Sequence, residues 1–124
     1  AAPPIDHSVR LLRALKSAGV PVFSLTNFGV ESYEYAQSHY DFLGEFDRDY
    51  VSGRMQVIKP NSKIYEMLEQ DSGVAPDRLL FADDRADNIA MAASRGWQTY
   101  LFKTPQGWAD RLVGAGLLSS EQAQ

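Results

Sequence analysis

The sequence contains no cysteine among its 124 residues, which excludes disulfides and thiolate metal sites and fits a reducing, cytoplasmic setting. It has no apolar run near the roughly 20 residues that a membrane helix needs, and no secretory signal pattern opens it, so a membrane partner is not expected. It has no excess of basic residues either: the formal net charge is −4 and the isoelectric point is near 5.0. Nucleic acid is therefore not an expected partner, because phosphate-backbone binding needs a basic face. Internal repeats, low-complexity tracts and linkers are absent, and no Gly-x-Gly-x-x-Gly or P-loop follows an apolar run. What is present is a 44% hydrophobic chain, long enough for one compact domain with a core over residues 1–124. It opens on Ala1, not Met.

Helical and strand patterns alternate along it. Val9, Leu11, Leu12 and Leu15 fall at helical spacing between Ser8 and Ala18, and Gly19 follows as a stop. Pro21 to Thr26 reads as a buried strand, Val30 to Tyr40 as a helix, and Tyr50-Val51-Ser52 as a short strand closed by Gly53. Asn61 is placed to cap a helix from Ser62 to about Gln70, with Ile64, Met67 and Leu68 on its inner face. Arg78 to Ala82 is a second apolar strand, Ala86 to Arg95 a helix, and Gln98 to Phe102 a third clear strand. Thr104-Pro105 opens a last helix to about Val113. Strands alternating with helices predict an α/β fold, a Rossmann-like three-layer core on a mostly parallel sheet. Function in such sheets gathers beyond the carboxyl ends of the strands. Two polar clusters sit at such ends: Thr26-Asn27 and Asp83-Asp84.

Asp83-Asp84 concentrates charge that a hard cation with oxygen ligands, most naturally Mg²⁺, would neutralise. The pair also reads as an ordinary helix N-terminus, where aspartate caps and meets the helix dipole, and Asp87 belongs to that second reading. Thr26-Asn27 offers a hydroxyl and amides that suit phosphate oxygens, or a simple strand-to-helix turn. Lys59, before Pro60, is either a point charge for phosphate or a solvated surface lysine. His7 and His39 have no partner at metal-ligand spacing. Tyr33, Tyr35, Tyr40, Phe42, Trp97 and Trp108 read as core or interface aromatics.

Taken in order, Val22 to Asn27, Val57-Ile58-Lys59-Pro60, and Leu80 to Asp84 with Asn88 resemble the second, third and fourth motifs of the haloacid dehalogenase superfamily of hydrolases, across about Asp6 to Leu118. The resemblance implies that Thr26 hydrogen-bonds a transferring phosphate and that the Asn27 backbone supports the same oxygens. Lys59 would stabilise nucleophile and phosphate. Asp84 would ligate Mg²⁺ directly and Asp83 through water, with Asn88 in support. It implies a small phosphorylated metabolite as substrate. The halide-releasing branch needs no metal and departs from the acidic pair, so Asp83-Asp84 favours a phosphatase over a 2-haloacid dehalogenase.

The family's first motif, an Asp-x-Asp whose first carboxylate attacks phosphorus, has no match before Thr26. Asp47-Arg48-Asp49 has the letters but follows the second motif, and it reads as a solvated turn before a strand. The chain thus resembles the part of such an enzyme that follows the cap, apparently truncated at its N-terminus and inactive alone. The family's first strand lies centrally, between the strands ending at Thr26 and at Asp84. Without it the chain is expected to pair its own strands directly, to swap strands with another copy in a homo-oligomer, or to retain an upstream fragment. Two other classes stay open: a non-catalytic binding or structural protein on the same scaffold, and a receiver-like signalling module, whose acidic pair comes first instead of last.

Overall fold

The computed structural model describes residues 6–27, 29–39 and 41–124. Contacts gather into two compact units, one formed by Ala1–Val22 with Phe102–Gln124, the other by Phe23–Leu101.

In the first unit, α1 (His7–Ser17) starts at Asp6, whose carboxylate accepts the Ser8 N–H at 2.7 Å. Its apolar stripe Leu11, Leu12 and Leu15 is buried, as the spacing predicts. It contacts α6 (Pro105–Gly114), which opens at Thr104: the threonine hydroxyl accepts the Gly107 N–H at 3.0 Å, and Pro105 occupies the first turn, where no amide hydrogen is needed. Ala109 and Leu112 carry the buried stripe of α6. His7 Nε2 meets the Ala123 carbonyl at 2.8 Å, so this histidine is held by backbone.

The second unit carries four short strands. β1 (Phe23–Thr26) pairs in parallel with β2 (Arg48–Val51), Phe23 opposite Arg48 and Thr26 opposite Val51. β3 (Leu80–Asp83) pairs in parallel with β4 (Gln98–Leu101), Leu80 opposite Gln98 and Asp83 opposite Leu101. Among the described residues these remain two separate two-stranded sheets, with no strand joining β1 to β3. Direct pairing across that gap, one of the expected outcomes, does not occur. α2 (Val30–His39) and a 3-10 turn (Asp41–Gly44) lie between β1 and β2 in the chain; Tyr40, the expected last residue of that helix, lies outside the described residues. So does any account of the Tyr33 and Tyr40 side chains as core aromatics. α3 (Ser52–Met55) follows β2 directly, so Ser52 and Gly53 are helical, not the end of the strand. α4 (Ser62–Ser72) leads through a second 3-10 turn (Pro76–Arg78) to β3, and α5 (Ala86–Ser94) crosses from β3 to β4. This is a mixed α/β, Rossmann-like arrangement with short parallel sheets.

One core unites both sheets of this unit. Leu25 and Tyr50 come from the first pair, Leu79 and Trp97 flank the second, and Ile64, Tyr65 and Leu68 of α4 join them in one buried cluster. Tyr65, Phe81 and Trp97 meet edge to face, with ring centroids 5.3–6.0 Å apart, a geometry that adds about 0.5–1.5 kcal/mol per pair to area burial. Ile64 and Leu68 of α4 are buried as expected, but Tyr65 is fully buried in place of Met67, which is 38% exposed. A tyrosine fits inside because its hydroxyl donates to the Asn88 carbonyl at 3.1 Å. Tyr35, also expected in a core or interface, is 66% exposed.

Glu69 anchors the far end of α4. It receives Arg95 Nε at 2.8 Å, a second guanidinium nitrogen at 2.7 Å and the Trp97 indole N–H at 2.7 Å. The Arg95 hydrogen bonds hold its carboxyl below the ordinary glutamate range, against the upward push of burial. Because the folded value is depressed, this contribution is complete above about pH 4.3 and lost as pH falls through the folded value. Glu69→Gln is expected to cost about 2 kcal/mol at pH 7. The gap from wild type should narrow in urea denaturation below about pH 4; a gap independent of pH would contradict this account.

Candidate active site at the strand ends

Lys59 is the centre of the cluster, and α4 explains its position. Asn61 caps that helix by accepting the Lys63 N–H at 2.9 Å, which fixes the preceding Lys59-Pro60, joined by a cis peptide bond, against the helix start. From there the Lys59 ammonium reaches Asp83 Oδ2 at 2.6 Å and stands 5.5 Å from the Phe81 ring centroid. The pair is nearly dry, with side chains 10% and 7% exposed.

Asp83 ends β3 and is held from three sides. Its Oδ1 accepts the Arg85 N–H at 2.8 Å, and its Oδ2 accepts Asn88 Nδ2 at 3.1 Å besides Lys59. Burial alone would raise its pKa, but the Lys59 ammonium, the Arg85 N–H and the Asn88 amide together hold it below the ordinary aspartate value. Asn88, one turn into α5, is 2% exposed and leaves its Oδ1 without a protein partner. Tyr65 packs behind, its phenol pushed up to about 12 by burial and by the negative charges of Asp83 and Asp87. Asp84 is exposed. Asp87, in the first turn of α5, pairs with Arg85 at 3.2 Å and accepts the Asn88 N–H at 2.9 Å, an ordinary role at a helix start.

From β1 come the other two predicted residues. Thr26 Oγ1 is buried and has no protein partner. Asn27 is exposed, and its side chain bonds the Lys59 backbone: Oδ1 accepts the Lys59 N–H at 2.9 Å, and Nδ2 donates to the Lys59 carbonyl at 3.2 Å. The three motifs, apart in sequence, are thus linked in space as Asn27–Lys59–Asp83–Asn88.

Of Asp47-Arg48-Asp49, Asp47 lies in an exposed bend before the strand as expected, but the other two belong to the strand itself. Arg48 and Asp49 begin β2; Asp49 Oδ1 accepts the Ser24 hydroxyl at 2.6 Å, and Arg48 pairs with Asp71 at 2.8 Å. Asp49 thus serves the β1–β2 sheet. One participant has no sequence motif: Tyr65, whose hydroxyl donates to the Asn88 carbonyl; only its place on α4, just after the third motif, marks it. Phe81 lies within the fourth-motif segment but is given no role there, and its ring stands under the Lys59 ammonium.

Chemically, the cluster offers one ammonium, an unsatisfied hydroxyl and two adjacent carboxylates. An orphaned buried hydroxyl costs about 1–3 kcal/mol, and an oxygen of a phosphate placed there would accept its hydrogen bond. For Mg²⁺ the fit is partial. Oxygen donors are right for it, and one or two carboxylates with water and phosphate are a usual shell. Yet both Asp83 oxygens already accept hydrogen bonds, and no group of three potential metal ligands occurs among the described residues.

No helix among the described residues is long and apolar enough to cross a membrane. A family profile for haloacid dehalogenase-like hydrolases matches residues 1–96. The chain is 31% identical over 108 residues to an (S)-2-haloacid dehalogenase, H-109, of Pseudomonas putida, covering 87% of this chain and 45% of that protein. It is 28% identical over 107 residues to D-ribitol-5-phosphate phosphatase of Bacteroides thetaiotaomicron, covering 83% and 52%. A solved haloacid dehalogenase family enzyme from Bacteroides thetaiotaomicron, in complex with magnesium and inorganic phosphate, superposes with a TM-score of 0.67 at 25% identity, over 76% of this chain and 50% of that one. The chain spans about half the length of these relatives.

A nearly buried ion pair resists loss of one partner more than loss of both. Lys59→Met is expected to cost about 3 kcal/mol in urea denaturation, because it strands the Asp83 carboxylate. Lys59→Met combined with Asp83→Asn should recover much of that. Additive losses would show the two to be uncoupled.

Proposed function

The chain belongs to the haloacid dehalogenase-like hydrolases, and on that premise we propose that it forms the phosphate-holding part of a Mg²⁺-dependent phosphatase-type active site acting on a small phosphorylated metabolite. The observation that carries this reading is the buried Thr26 hydroxyl without a protein partner, on the residue next to the Asn27–Lys59–Asp83 chain. In this reading Thr26 donates to a phosphate oxygen and the Lys59 ammonium neutralises a second. Asp84, with free exposed oxygens, and Asp83 through water would hold Mg²⁺, which when bound neutralises phosphate charge. Asn88 keeps Asp83 oriented.

None of these groups attacks phosphorus. Family chemistry uses an Asp-x-Asp carboxylate, and no such motif precedes Thr26 in this sequence. We therefore assign this chain binding without turnover; in this reading the attacking carboxylate would be supplied by residues other than those of this chain. Those residues, or a second copy in a strand-swapped homo-oligomer, would also fill the gap between β1 and β3.

A second reading, 2-haloacid dehalogenase, is favoured by the (S)-2-haloacid dehalogenases among the relatives, 31% identical in one case. Asp83-Asp84 argues against it, since that branch needs no metal. Titration calorimetry distinguishes the two. Inorganic phosphate should bind more tightly with Mg²⁺ present, Mg²⁺ alone should bind weakly, and Asp84→Ala should abolish the Mg²⁺ effect. Thr26→Val should weaken phosphate binding about tenfold, the equivalent of one hydrogen bond. Metal-independent binding of 2-chloropropionate in place of phosphate would favour the dehalogenase, and tight Mg²⁺ binding that survives Asp84→Ala would refute the metal assignment. A generic phosphate ester should not be turned over by this chain; turnover abolished by Asp47→Asn would give Asp47-Arg48-Asp49 the nucleophile's role.

A further inference from the structure

The resemblance of Thr26-Asn27 to a family motif gives Asn27 a role through its backbone. Its side chain does something else. The carboxamide presents one acceptor and one donor about as far apart as those of a peptide group, and both engage Lys59, 32 residues away: Oδ1 takes the Lys59 N–H at 2.9 Å and Nδ2 gives to the Lys59 carbonyl at 3.2 Å. Lys59 lies in a turn between α3 and α4, outside any helix or strand, and the following Pro60 has no amide hydrogen to donate. The carboxamide therefore does for Lys59 what a neighbouring strand would do. It also joins the end of β1 to a residue whose ammonium meets the end of β3 at Asp83, across a gap that no backbone ladder spans among the described residues.

We propose that the Asn27 side chain is a positioning residue that clamps the Lys59 backbone and so holds the Lys59 ammonium over the site. A lysine has four rotatable side-chain bonds, and fixing its ammonium within ångströms requires its backbone to be fixed first; displacements of about 1 Å at a reacting centre can cost about a hundredfold in rate. No other common side chain does both jobs here. Asp accepts but cannot donate, Ser and Thr do not present the planar donor–acceptor pair, and Gln is longer by a methylene. Because Asn27 is exposed, truncating it opens no cavity, and its effect travels through two hydrogen bonds. The functional sense of the clamp rests on the phosphate role given to Lys59 above; the clamp itself does not.

The test is residue-resolved and needs no turnover. The full chain is treated briefly with an amine-reactive acetyl ester and the labelling rate of each lysine is read by peptide mass spectrometry, while amide hydrogen exchange is followed at Lys59. In wild type Lys59, with its side chain 10% exposed and its ammonium paired, should react slowly relative to the exposed Lys63 and Lys103. Asn27→Ala should raise Lys59 labelling and Lys59 N–H exchange about tenfold, in line with release of a locally held segment, with Lys63 and Lys103 within about twofold of wild type. Asn27→Asp keeps the acceptor for the Lys59 N–H and should leave Lys59 clearly less reactive than in Asn27→Ala, or than in urea-unfolded chain if the alanine variant does not fold. A folded Asn27→Ala chain in which Lys59 stays as protected as in wild type overturns the proposal, and so does a folded Asn27→Asp chain whose Lys59 reacts like that of unfolded protein. A global loosening, which a merely structural role would produce, raises amide exchange throughout β3, α4 and α5 along with Lys59 and likewise counts against it. Failure here leaves the phosphate and Mg²⁺ titrations untouched, so the two readings fall separately.

Discussion

The ion pair between Lys59 and Asp83 is the constraint on which this site depends. Two charges with side chains 10% and 7% exposed have given up most of their hydration, a penalty of several kcal/mol per ion. Their attraction offsets it only because the other bonding capacity of the carboxylate is also used, by the Arg85 N–H and the Asn88 amide, and because the ammonium stands over the Phe81 ring. A well-packed apolar pair would hold β3 and the α4 start together at least as well. What an apolar pair cannot do is keep a positive charge nearly dry at the end of a strand, where, in the proposed reading, a low dielectric strengthens its pull on an anion.

The position of that pair follows from local rules. β3 ends at Asp83 because a second carboxylate and the start of α5 follow immediately, and α5 returns Asn88 to the same carboxylate one turn later. Lys59 is brought up by the Asn61 cap on one side and the Asn27 amide on the other. Two asparagines and an aspartate thus do the work that sheet hydrogen bonds do elsewhere, at the place where the two small sheets share no ladder.

Much of this was legible in the sequence. The strand ends at Thr26 and Asp83, the Asn61 and Thr104 caps and the buried stripe of α1 follow from residue type and spacing, since each depends on neighbours within a few positions. Two misreadings share one cause: they depend on distant partners. Met67 fits the apolar period of α4 as well as Tyr65 does, but Tyr65 goes inside because Asn88, 23 residues on, accepts its hydroxyl and Phe81 and Trp97 receive its ring. Asp47-Arg48-Asp49 reads as a turn until Ser24 and Asp71 supply partners for Asp49 and Arg48. Asn27 was visible as a polar residue after a strand, but nothing in its neighbourhood announces that its side chain serves Lys59.

The distribution of satisfied and unsatisfied groups separates scaffold from site. At the other end of α4, Glu69, Arg95 and Trp97 close on each other, both carboxylate oxygens used by three donors, and the cluster needs nothing further to be stable. At the strand ends, by contrast, Thr26 Oγ1 and Asn88 Oδ1 are buried without protein partners. Folded proteins pair the great majority of such atoms, because a dry, unpaired polar group costs as much as a lost hydrogen bond. Both orphans lie on residues of the Asn27–Lys59–Asp83–Asn88 chain or next to it, rather than scattered through the core. In the proposed reading, a phosphate accepts from the Thr26 hydroxyl and faces the Lys59 ammonium, while the Asn88 side-chain carbonyl, an acceptor, is left for a donor such as water. The groups left unpaired here are polar, which suits that reading better than an apolar ligand.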